Sequence, residues 1–137
     1  RRTDEDLGRI RTALAAIDAA VAGGRDGVEE DVRFHRVIAE AARNPFLIHT
    51  LDYLSQFLRA ATRVTRANEA RYAPFAADVL QEHEVLVAAI ESGDPAAARQ
   101  AATRHMRNAA SRIQQADPAF WAHEGQRLAQ DLVGVTF

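Results

Sequence analysis

The chain has 137 residues, 47% hydrophobic and 26% charged, with 17 basic against 19 acidic side chains, which suits one globular domain with a core of its own. It contains no cysteine, so thiol catalysis, cysteine-ligated zinc or iron–sulfur centres and a disulfide scaffold are excluded. A net charge of -2 leaves no basic footprint for gripping nucleic acid, and no apolar run approaches the roughly 18 to 20 residues of a membrane span, so a soluble cytoplasmic domain without membrane or direct DNA contact is expected.

Alanine fills about a fifth of the positions and every Lys/Arg-type cation is arginine, a bias that favours helices because alanine loses no side-chain entropy on ordering. Thr3 is placed to cap a first helix, with Asp4, Glu5 and Asp6 at the positive end of its dipole. Leu7, Ile10, Leu14, Ile17 and Val21 then recur at helical spacing until Gly23-Gly24. A second helix is predicted over Val28 to Ala42. Asn44 followed by Pro45 is a cap and first-turn proline, and predicts a long central helix toward Asn68. Pro74 opens a fourth helix to Ser92. Gly93-Asp94-Pro95 ends it and starts a fifth, which runs to about Gln115. Asp117-Pro118 repeats the device before a last helix ending near Gly134. No segment alternates as a strand does, so the expected fold is all-α: an antiparallel bundle of about six helices, whose interior the polar residues described next make a candidate metal and ligand cavity.

Polar residues on these helices define the candidate site. Asp31 and His35 stand four apart and share one face of the second helix, a spacing that permits chelation of one cation and equally a surface ion pair. His83 lies ten residues before Gly93 and His105 eleven after Asp94, which puts both about 15 to 16 Å from the turn of an antiparallel pair. Each borders an apolar stripe, so they are either hydrogen-bonded core histidines or part of one cluster with Asp31 and His35. One carboxylate and three imidazoles suit a divalent transition metal without choosing among zinc, nickel, cobalt and manganese, and zinc or nickel is the expected occupant. Open coordination positions would attract a small carboxylate, and Arg59 and Arg63, four apart on the third helix, are candidates for its second anchor. His49 and His123 read as exposed, and Trp121 and Met106 as packing.

These elements resemble the ligand-binding and oligomerisation domain of FadR-type transcription regulators in the GntR superfamily, in its metal-containing branch. The resemblance is carried by Asp31-Val32-Arg33-Phe34-His35, then Asn44-Pro45-Phe46-Leu47, then Glu82-His83-Glu84 through Gly93-Asp94, and Ala98 through His105-Met106. It implies that Asp31, His35, His83 and His105 are metal ligands, and that residues 1–137 form a homodimerising sensory domain which binds a small organic acid and is not an enzyme. It further implies an N-terminal winged helix–turn–helix that contacts operator DNA. That module and most of the usual first effector-domain helix have no counterpart here, so the domain is expected to be N-terminally incomplete. A metal-dependent hydrolase or isomerase, and a purely structural dimerisation domain, are the alternative readings.

Overall fold

The computed structural model describes residues 2–134. Eight helices follow one another among the described residues, and no strand occurs: α1 (Asp4–Ala22), α2 (Val28–Ala41), α3 (Pro45–Tyr53), α4 (Ser55–Ala70), α5 (Ala73–Ser92), α6 (Pro95–Gln114), α7 (Pro118–Ala122) and α8 (Glu124–Val133). None of them is long and apolar enough to cross a membrane.

The caps written in the sequence operate. The Thr3 hydroxyl accepts from Asp6 N–H while Asp6 accepts from Thr3 N–H, a reciprocal box that satisfies two otherwise unpaired donors. Asn44, Asp94 and Asp117 each accept backbone N–H groups from the first turn of α3, α6 and α7 respectively. Gly93, at φ 74°, takes the left-handed conformation that ends α5 and folds α6 back against it.

The count of eight corrects the expected six, because two predicted helices are interrupted. The long third helix breaks at Leu54, which lies between α3 and α4 with ψ near 3°. One turn earlier the Thr50 hydroxyl donates to the Phe46 carbonyl at 2.8 Å, a back-bond of the kind that bends helices. The last helix breaks at His123, whose backbone (φ −129°, ψ −91°) is not helical. This break lets α7 turn Phe120 fully inward while α8 packs along α4. Nor is the start of the third helix central: α3 buries no residue, and Phe46 and Tyr53 are 81% and 65% exposed.

The core lies where α1, α2, α5 and α6 meet. Ile10, Leu14 and Ile17 of α1 pack with Phe34 and Val37 of α2, Leu86 and Val87 of α5, and Ala101 of α6. Burial of each large aliphatic side chain stabilises such a core by roughly 1.5 to 3 kcal/mol. Its consequence for function is positional: Phe34 is flanked in sequence by candidate ligand His35, and its ring packs 4.9 Å from that of His83. The hydrophobic stripe therefore holds two of the polar side chains in place.

Candidate metal centre

Helices α2, α5 and α6 bring Asp31, His35, His83 and His105 together. Nε2 of His83 and Nε2 of His105 are 3.2 Å apart, at the similar height expected from their near-equal distances to the Gly93-Asp94 turn. Asp31 Oδ1 lies 3.3 Å from His35 Nε2 and 3.7 Å from His83 Nε2. One ring nitrogen from each of the three histidines falls within 4.8 Å of the others. His83 is 1% exposed and Asp31 8%, whereas the His35 side chain keeps 34% of its surface open. The cluster is thus buried on one side and accessible on the other.

Its donors fit a cation. Asp31 Oδ1 is buried yet has no hydrogen-bond partner of acceptable geometry, an arrangement that is costly unless some group outside the chain satisfies it. The other oxygen, Oδ2, accepts from Arg66 Nε at 2.8 Å. Burial opposes ionisation of Asp31, but contact with His35 and the charge of Arg66 outweigh it and hold the carboxyl below its usual range. Burial pushes His83 down to about 3 and lowers His105 as well, so both imidazoles are neutral near pH 7 and can offer lone pairs.

His105 is also oriented from behind. Its Nδ1 is 2.7 Å from Glu82 Oε2, so the ring proton sits there and the Nε2 lone pair faces the cluster. Glu82 accepts in addition from Asn108 Nδ2 at 2.7 Å and from Arg112 Nη1 and Nη2 at 2.8 and 3.1 Å. Burial works against the Glu82 charge, yet the donors of Arg112, His105 and Asn108 prevail and hold its pKa down to about 2. Arg112 continues through Nε to Glu69 Oε1 at 3.2 Å. There burial wins over the guanidinium, and Glu69 is pushed up to about 7.

A cavity of about 380 Å³ opens beside the cluster, lined among others by Asp31, His35 and His105. A separate cavity of about 800 Å³ lies on the other side, against α1 and α8, and is lined by His83, Arg63 and Arg66. The two expected anion anchors stand apart from the first cavity. Arg59 Nε donates to Glu29 at 2.6 Å near the surface, and Arg63 lines the larger cavity. Arg36 is the arginine that borders the smaller one. His49 and His123 are exposed, as expected. Met106 is not core but 54% exposed at the edge of the smaller cavity, and Trp121 is 39% exposed.

Sequence reasoning passed over Arg66, Glu82, Asn108 and Arg112. Glu82 adjoins His83 but turns about 100° away on α5 and meets α6 instead, and Arg66 reaches Asp31 from 35 positions away. The one local signal was that Glu82 and Arg112 interrupt otherwise inward-facing stripes.

Residues 1–108 match the FCD domain family. Over 109 residues, 79% of the chain and 50% of the relative, the sequence is 32% identical to the HTH-type transcriptional regulator LutR of Bacillus subtilis. It is 31% identical over 78 residues, 57% of the chain and 30% of the relative, to the putative L-lactate dehydrogenase operon regulatory protein of Escherichia coli. The chain therefore spans half or less of the length of these relatives. It belongs to the FCD domain family, the C-terminal effector-binding regions of GntR-type transcription regulators.

Proposed function

We propose that this domain senses a small organic acid through a divalent transition metal held by Asp31, His35, His83 and His105. The observation that carries the reading is the convergence of three imidazole nitrogens beside a buried Asp31 oxygen to which none of the described residues donates with hydrogen-bond geometry. Zinc or nickel suits this donor set best, and cobalt or manganese would also be accepted. A bound cation supplies a Lewis-acidic anchor for an effector carboxylate. The residues do the rest: Glu82 fixes the His105 ring, Arg66 holds one oxygen of Asp31 so that the other faces inward, and the half-open His35 marks the side from which ligand enters.

In the full regulator the domain acts as a homodimer, and effector occupancy shifts helices that position an N-terminal winged helix–turn–helix on operator DNA. The relatives' names, a transcriptional regulator and an operon regulatory protein, support that assignment. Sensing is favoured over metal-assisted hydrolysis because the acids that could serve as a base are already engaged, including Glu69 on the smaller cavity, which accepts from Arg112 Nε at 3.2 Å. Glu82 is bound by Arg112, His105 and Asn108, Glu84 by Arg11, and Glu40 by Arg9 and Arg36, which leaves none of the three poised as a general base.

The test is metal analysis of the untagged protein together with His83→Ala and His105→Ala, followed by calorimetric titration with carboxylic acids. One metal per chain, lost in both variants, is expected; unchanged stoichiometry in both would refute the ligand set. A folded, metal-replete protein that binds no acid would refute the sensory role.

A further inference from the structure

The smaller cavity carries information about which acid it takes. Its walls are apolar: Val32, Leu51, Leu58, Ala61, Val79 and Met106 line it. The polar groups around them are nearly all committed to the protein. The Thr62 hydroxyl donates to the Leu58 carbonyl at 2.7 Å and the Thr65 hydroxyl to the Thr62 carbonyl at 3.1 Å, so both protons are already spent within the helix. Arg36, the cation on this wall, is held by Glu40 at 3.0 Å and by Asp52. Glu69 is bound by Arg112. Ser55 is the lining hydroxyl that has no bond within the described residues. The histidine cluster thus forms a polar end, and the remainder offers surface for carbon.

We infer that the effector of this domain is a monocarboxylate with an apolar body of several carbons, its carboxylate toward the histidine cluster and its chain against Leu58, Ala61 and Val79. The inference rests on the reading of that cluster as a metal centre that anchors an acid. A second carboxylate would be desolvated without a cation of its own, because Arg36 is held by two carboxylates and Arg66, whose Nη2 has no partner among the described residues, lines the larger cavity instead; a buried charge without a partner is strongly disfavoured. A polyhydroxy acid would give up hydrogen bonds to water at every hydroxyl, and the cavity's hydroxyls return only those of Ser55 and the spare lone pairs of Thr62 and Thr65. A hydrocarbon body loses nothing on entry. The cavity's about 380 Å³ also lies within the range of small-molecule sites, with room beyond a two-carbon acid.

The experiment is calorimetric titration of the zinc-loaded chain, with zinc content measured first. Acetate, butanoate and hexanoate test length; adipate and gluconate, each with as many carbons as hexanoate, test polarity. Affinity should climb about fourfold for each added methylene, the gain expected for buried hydrocarbon. Adipate and gluconate should bind at least tenfold more weakly than hexanoate. In Ala61→Leu and Ala109→Leu, which fill the cavity, hexanoate should weaken at least tenfold while acetate stays within twofold and zinc content is unchanged. Adipate or gluconate equalling hexanoate, or affinity that is flat with chain length, would overturn the inference while leaving acid sensing intact. Absence of zinc, or zinc with no acid bound, would overturn both. If a filled variant does not fold, the order of affinities in the parent chain decides the matter.

Discussion

His105 and Glu82 face each other across the α5–α6 hairpin with Nδ1 and Oε2 2.7 Å apart, and this contact determines which nitrogen of His105 carries the proton. Partners of this type typically change metal affinity by about 10- to 100-fold. Glu82→Gln preserves shape but removes the charge, so zinc affinity should fall by about that factor in a chelator competition assay. The tautomer of His105, read by nitrogen NMR in metal-free protein, should lose its preference for Nδ1–H. A change in affinity with an unaltered tautomer would remove Glu82 from the positioning role.

Arg66 and Asp31 form a pair whose side chains are only 10% and 12% exposed. Deleting one partner of a buried pair costs about 3 to 5 kcal/mol because the other charge is stranded. Arg66→Met should therefore lower the melting temperature of metal-free protein markedly. Zinc should then recover part of the loss, since the stranded Asp31 charge would face a cation. The zinc-induced rise in melting temperature is expected to be larger in the variant than in the parent. Equal rises would mean that Asp31 does not face the metal.

Acid should destabilise the metal-free protein in two stages. His83 is lowered from 6.5 to about 3, so between these values the unfolded chain binds a proton that the fold excludes. Stability rises with pH wherever the unfolded chain binds more protons, so this contribution is lost as pH falls from 6.5; His105, also lowered, acts in the same sense. Glu69 has the opposite sign. Raised from 4.5 to about 7, it holds a proton in the fold that the unfolded chain has released, and it favours folding as pH falls through that interval. It therefore offsets the histidines down to about pH 4.5, below which Glu82 and Asp31, both lowered, add to the loss. Urea unfolding should show a shallow decline from pH 6.5 to 4.5 and then a steeper one, each group contributing at most about 1.4 kcal/mol per pH unit. In Glu69→Gln the steep decline should begin near pH 6.5.

Gly125 tests the packing of α8. Alanine is a better helix former than glycine by about 0.5 to 1 kcal/mol, which taken alone predicts that Gly125→Ala stabilises. A Cβ at this position would lie 2.6 Å from Phe120 and 2.9 Å from Trp121, both ring atoms of packed side chains. Overpacking of this kind costs about 1 to 3 kcal/mol, so a net loss on the order of 1 kcal/mol is expected in thermal unfolding. The double variant with Phe120→Leu should lose less than the two single effects combined. Simple additivity would mean that the contact is not the cause.

Much of the fold was legible in the sequence because helix ends depend on neighbours in the chain. Thr3 with Asp6, Asn44-Pro45, Gly93-Asp94-Pro95 and Asp117-Pro118 cap and turn the chain through bonds of two or three residues' reach. The four clustered polar residues were legible for a related reason: Asp31 and His35 share a helix face by spacing, and His83 and His105 share a height by their distances from one turn. Tertiary structure decided the rest. Helix interruptions at Leu54 and His123 carry no proline or glycine, and neither the exposure of α3 nor the burial of Phe120 follows from periodicity. The partners that orient the cluster, Arg66 on Asp31 and the Glu82–Arg112 pair behind His105, reach across 23 to 35 positions. The displacement of Arg59 and Arg63 from the acid-sized cavity has the same origin. Helical spacing says which side chains share a face of one helix; which neighbour that face meets depends on how whole helices pack, and that is set by the core around Phe34, Leu86 and Val87.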